Sequence, residues 1–336
     1  MRPQAPTAPT EFYALQQRVN TTARNEVRRL WRKVGNDFDG GWARISPQIF
    51  NVISEAQRQV AEGSVPYLAK LADETTDAPP EAELAPRSLV GVASDGRALE
   101  SLSYGAVVTA GEAYNGGATT RQALKVGGNW LDAMTALQVA DAARVATSIG
   151  ACVRPEWGGY VRYLNPPSCS RCAVLAGKWF KWNAGFERHT RCDCQHFPAA
   201  NSGYAESEGF IGNPDDAWRN GHVKDLTKVQ RQALEDGADL SQIINARRGM
   251  STTTTIKGTR FDFTTEGVTR RGRYGRSEFG GSLGYNATRT GRSQGFIQNQ
   301  VVRTSKRSRI TPETIYRVAT DRADAIRLLR NYGYVL

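Results

Sequence analysis

The stretch that decides the reading of this chain is residues 165–198, NPPSCSRCAVLAGKWFKWNAGFERHTRCDCQHFP. It holds four of the five cysteines and two of the three histidines within 34 residues. Thiols packed this tightly without a metal or a disulfide are reactive and pack poorly, so the density itself points to ligation. Cys169 and Cys172 form a C-x2-C turn directly after the turn signal Asn165-Pro166-Pro167. His189, Cys192 and Cys194 follow as H-x2-C-x-C, with His196 close behind. A C-x2-C turn sets its sulfurs about 3.5–4 Å apart, the edge of a tetrahedron with bonds of about 2.3 Å. The expectation is a structural Zn²⁺ held by Cys169, Cys172, His189 and either Cys192 or Cys194. The N/S donor set is borderline soft, and four ligands leave no vacancy for catalysis. The other account stays open: the thiols are merely buried, or they oxidise to two disulfides. His196 is an alternative ligand, although Phe197-Pro198 beside it suits plain packing. Cys152 stands alone at a helix end and is expected to be buried. His222 reads as a loop histidine.

Outward from this window the periodicity changes several times. Residues 1–10, MRPQAPTAPT, read as a disordered lead. From Glu11 to Val34, Phe12, Leu15, Val19, Ala23, Val27, Leu30 and Trp31 recur at three- and four-residue steps, an amphipathic helix. Ser46-Pro47 reads as the start of a second helix, carrying Ile49, Phe50, Ile53 and Val60. Residues 73–89 are acidic and proline-rich and read as a linker or surface loop. Helices are expected at 97–115 and 118–149, the second rich in alanine. Trp157–Leu164 and Trp179–Trp182 read as short strands flanking the first cysteine pair. Helix returns over 216–248 and again from Thr311-Pro312, with a stop at Asn331/Gly333.

The expected fold class is therefore α+β, mainly α. A helical body (11–149) precedes a cysteine/histidine module with its following helices (150–248). A Gly/Arg-rich basic arm (249–309) and a short carboxy-terminal helical unit (310–336) complete the chain. The 336 residues, 40% hydrophobic with a mean hydropathy of −0.50, suit a soluble protein with sizeable cores. No run of 18 apolar residues occurs, so no membrane span is expected. The amino terminus lacks the apolar core of a signal peptide, which implies a reducing cytoplasm and favours metal over disulfides.

Charge is placed unevenly. The net charge is +11, and residues 251–310 alone carry twelve Lys/Arg against three Asp/Glu. Such a local excess implies an acidic partner. Arg270, Arg271, Arg273, Arg276, Arg289, Arg292 and Arg303 are the candidate phosphate contacts of a sequence-blind DNA-binding arm. Phe261, Phe263, Tyr274, Phe279, Tyr285 and Phe296 are interleaved and would add stacking. The competing reading is a solvated linker, or one that meets an acidic protein surface.

The run Cys169-Ser170-Arg171-Cys172-Ala173-Val174-Leu175-Ala176-Gly177-Lys178, followed by Arg188-His189-Thr190-Arg191-Cys192-Asp193-Cys194, resembles the MuF-like minor head proteins of tailed bacteriophages. There a C-x2-C-x-x-L-x-G-K segment precedes H-P-x-C-x-C, and Thr190 stands where the family usually has proline. The segment from Ile310 to Tyr334 also resembles the end of members from phages of actinobacteria. The resemblance implies a minor capsid protein acting in head morphogenesis. Its partners would be the portal protein, the capsid shell and double-stranded DNA, with the helical body docking. It further implies a place in the virion, inside the capsid or at the portal vertex, after assembly in the host cytoplasm.

No enzyme is expected. Three histidines, two of them in the cluster, supply a Ser/His/Asp arrangement poorly. There is no G-x4-G-K-[ST] loop, and the H-x-E of zinc deaminases is missing. A capsid-maturation protease fused to this type of module would need a histidine or serine pattern that the chain does not display. The alternative function is a zinc-stabilised, sequence-nonspecific nucleic-acid-binding protein without a virion role. A toxin or effector domain appended to a MuF-like module is the third.

Overall fold

The computed structural model describes residues 8–75, 79–164, 167–176, 178–181, 192, 194–200, 214–256, 259–265 and 309–335. Long helices dominate, with two small antiparallel sheets, so the chain is α+β and mainly α. Contacts divide it into two compact units, residues 1–165 with 176–212, and residues 166–175 with 213–336.

The first unit is built on α1 (Ala8–Trp31), α2 (Phe38–Thr75), α3 (Leu99–Ser103), α4 (Gly105–Asn115) and α5 (Thr120–Cys152). Apolar residues at helical spacing bury one stripe of α1, from Phe12 through Val19, Ala23 and Val27 to Leu30. α1 opens at Ala8, inside the stretch expected as a disordered lead, and the chain turns at Gly35 with φ of 76°.

The second helix begins earlier than its sequence suggested. Asp37, not Ser46, starts α2: its carboxylate accepts from Gly40 N at 2.9 Å and its carbonyl from Gly41 N at 2.8 Å. The two glycines are a close approach rather than a break. A Cβ on Gly41 would stand 2.1 Å from the Val34 carbonyl oxygen. Pro47 then lies inside the helix, at the cost of one helical hydrogen bond. Burial of Trp42, Ile45, Ile49 and Ile53 on one face outweighs that loss.

Two apolar cores run along the body. In one, Val27, Leu30 and Trp31 of α1 meet Ile45, Ile49 and Ile53 of α2, Val107 of α4 and Leu131 of α5. In the other, Phe12, Val60, Leu68, Leu71 and Val139 meet Trp157 and, through Val161 and Phe197, a sheet. That sheet has the order β2-β1-β3, from β1 (Gly159–Tyr163), β2 (Trp179–Lys181) and β3 (Gln195–Ala199). Tyr160 faces Phe180 on one side and Pro198 on the other. Gly159 is required at its position, because an added Cβ would stand 2.0 Å from the Phe180 carbonyl oxygen. α5 carries mostly small buried side chains here, Ala140, Ala142, Ala143 and Ala146. It exposes Val145, Ile149 and Cys152. The expected burial of Cys152 is thus not found, since the last turn of α5 presents it to solvent.

The second unit contains α6 (Ser170–Val174), α7 (Pro214–Arg219), α8 (Lys228–Glu235) and α9 (Leu240–Arg248). After them come β4 (Met250–Ile256), β5 (Thr259–Thr264), β6 (Arg309–Ile310), α10 (Pro312–Val318) and α11 (Arg322–Asn331). The strands form one antiparallel sheet in the order β4-β5-β6. The stretch 249–309, expected as an extended arm, therefore opens with a hairpin. Threonine-rich, β-branched sequence suits a strand, and β5 adds alternating phenylalanines. Phe261 and Phe263 stack on one another with centroids 6.4 Å apart, so they serve the sheet. The remainder of that arm, 266–308, lies outside the described residues. Arg309 is fully buried, donating to the Tyr332 carbonyl and Gln242 Oε1 and lying over the Tyr334 ring. No described helix is long and apolar enough to cross a membrane.

Candidate metal centre

Each half of the cysteine motif is set by its own surroundings. Cys169 is the N-cap of α6, its sulfur accepting from Cys172 N at 3.4 Å. Pinning the turn, Asp225 accepts from Ser170 N at 2.6 Å and from Ser170 Oγ at 3.2 Å. Ser168 N donates to the His222 carbonyl at 2.8 Å, which gives the loop histidine a backbone role. The local sequence explains the turn, since Cys169 replaces the usual Ser, Thr or Asp of a helix start.

Cys192 and Cys194 precede β3, where the chain enters the sheet beneath α5. Their sulfurs are 2.9 Å apart, both are buried, and neither is in a disulfide. The turn is fastened by Arg144 of α5. Its Nε donates to the Cys194 carbonyl at 2.9 Å and its Nη2 to the Cys192 carbonyl at 2.6 Å. Nη1 donates to Asp141 Oδ1 at 2.7 Å, making an ion pair whose members are 3% and 2% exposed. Burial pushes the Arg144 guanidinium down. The Cys194 and Cys192 sulfurs, then Asp141, more than offset it and hold the group above its ordinary value. A buried cation beside thiol sulfurs favours their anionic form, which is the form that ligates metal.

Cys172, Cys192 and Cys194 form a buried group whose sulfurs all lie within 4.8 Å of one another, and the group could hold a metal ion. Of the residues nominated from sequence, these three are brought together. Cys169 stands beside Cys172 through the cap contact and is not one of the three. His189 lies outside the described residues. So do Arg270, Arg271, Arg273, Arg276, Arg289, Arg292 and Arg303.

His196 is placed by packing. Its ring stacks on Tyr160 with centroids 4.2 Å apart, and Nδ1 is 2.7 Å from Ser148 Oγ. Sequence reasoning missed Arg144, Asp141 and Ser148. All three sit in an alanine-rich helix interior. The one available signal was the polar trio itself, at three- and four-residue spacing on an otherwise buried face of α5. No family model, no curated protein and no solved structure matches this chain.

Proposed function

We propose that this chain is a minor capsid protein of the MuF-like type, with a structural zinc ion pinning its cysteine module. The observation that carries the reading is the burial of Cys172, Cys192 and Cys194 as one group, drawn from both halves of the motif that bears the resemblance. Three thiolates and a borderline-soft ion are well matched, and a site closed by a fourth protein ligand supplies rigidity rather than chemistry. His189 and Cys169 are the candidates for that fourth place. Bound there, zinc would supply folding free energy to a sheet of three short strands, which buries little surface by itself. The protein's own part is Arg144, which donates to the carbonyls of Cys192 and Cys194 and so fixes the turn that carries both thiols.

On this reading the helical body docks on the portal or shell. The arginines of residues 266–308 meet packaged double-stranded DNA through its phosphates, without regard to sequence. No catalytic role is assigned.

The test is quantitative mass spectrometry of purified mature particles beside procapsids, with this chain scaled to the major capsid protein. The chain is expected in both at low copy number. Recovery only from soluble lysate overturns the virion role and favours a zinc-stabilised nucleic-acid-binding protein instead.

A further inference from the structure

A second site lies far along α5 from the cysteines, within the first unit. Between α1 and α5 opens a cleft of about 450 Å³, in the range of ligand-binding pockets. Its floor is apolar, made by Val27, Trp31 and Leu124. The floor is also fixed in place. Trp31 Nε1 donates to the Leu124 carbonyl at 2.8 Å, and the indole lies so close to Gly128 that an added Cβ would stand 2.7 Å from Cδ1. A preformed apolar seat costs little to order on binding.

Four cations line the cleft, Arg28, Arg32, Arg121 and Lys125, against one carboxylate, Asp132. Asp132 is already taken. Arg24 donates to it twice, at 2.9 and 2.8 Å, and Arg28 pairs with it at 2.8 Å. The cleft thus contains one carboxylate seated between two arginines. Just past the end of α1, and near the start of α5, Arg32, Arg121 and Lys125 have no carboxylate partner among the described residues.

We infer that this cleft docks an acidic peptide segment of a partner protein. An apolar side chain would sit on Trp31 and Leu124, with flanking carboxylates on Arg32, Arg121 and Lys125. Charge complementarity and the apolar floor together select this occupant. A DNA duplex is too wide to enter and would touch only the rim, leaving the floor bare. Inorganic phosphate has no apolar part to fill it. The inference stands whether or not the chain is a virion component.

The experiment is fluorescence anisotropy of a fluorescein-labelled peptide of alternating Glu and Leu, titrated with the full chain at several salt concentrations. Binding is expected to weaken as salt rises. The triple variant R32Q/R121Q/K125Q, with its folding checked by circular dichroism, is expected to bind roughly tenfold more weakly. A matched Gln/Leu peptide should bind the parent chain at least as poorly. Equal affinity of parent and triple variant for the Glu/Leu peptide would overturn the inference, since attraction to other basic residues would then explain binding. A DNA duplex or inorganic pyrophosphate that loses more affinity than the peptide on the same triple substitution would assign the cleft to phosphate instead.

Discussion

The helical body and the small β1–β3 sheet belong to one unit, yet they are held together by different means. The body buries Ile49, Ile53, Val60, Leu71 and Leu131 completely, in two continuous apolar cores. The sheet and the helix above it bury Arg144, Asp141, Arg162, Gln195 and His196. Apolar burial needs no particular partner, whereas each buried polar group must find one. The difference is that the body rests on apolar burial, while the sheet depends on a few specific polar contacts.

The sharpest way to break this contrast is Arg144→Ala. The change leaves Asp141 buried beside an empty space and removes the donors to the Cys192 and Cys194 carbonyls. A loss of about 3–5 kcal/mol is expected, as for one partner removed from a buried pair. Hydrogen exchange should localise it to β1 and β3, with the α1–α2 contacts of the body protected as before. Loss spread evenly over α2 would erase the distinction between the regions.

Within the body, Asp132→Asn probes a partly buried charge cluster. Burial pushes the Asp132 carboxyl up, but Arg24 and Arg28 outweigh it and hold it below its usual value. A carboxylate lowered in the folded state stabilises above its unfolded pKa, and that stabilisation fades as pH falls through the folded value. Asp132→Asn should therefore cost about 2 kcal/mol at neutral pH. The cost should shrink below about pH 4. Denaturant melts of both proteins across that range check the sign, and a pH-independent difference would contradict it.

A smaller effect sharpens the same picture from the other side. Thr119 caps α5 in a reciprocal box with Gln122. Thr119→Ala should cost about 1 kcal/mol in a thermal melt and leave thiol reactivity unchanged.

The contrast also explains what could be read from sequence. The body was legible because three- and four-residue apolar spacing survives any long-range context, as in Phe12 to Leu30 of α1. Its largest boundary error, at the start of α2, came from Gly40-Gly41. Paired glycines resemble a break, whereas here they admit the Val34 carbonyl and the Asp37 cap. The C-x2-C and C-x-C pairs were legible because ligand spacing is local. Arg144 was not, since the carbonyls that it holds lie 48 and 50 residues further along the chain. The β4–β5 hairpin was hidden by composition, glycine and arginine beyond it masking seven strand-forming residues, MSTTTTI. Its last partner, β6, lies past the whole basic stretch.

The central claim is that the buried thiols hold an ion on which the sheet depends. Hydrogen exchange by mass spectrometry, before and after chelation under reducing conditions, tests it most directly. Amides of 159–163 and 195–199 should exchange at least tenfold faster once metal is removed, while those of α2 keep their protection. Metal should leave the protein as Cys172, Cys192 and Cys194 become open to alkylation. Unchanged protection in both strands after chelation, with no metal released and the same thiols still closed, would contradict the account.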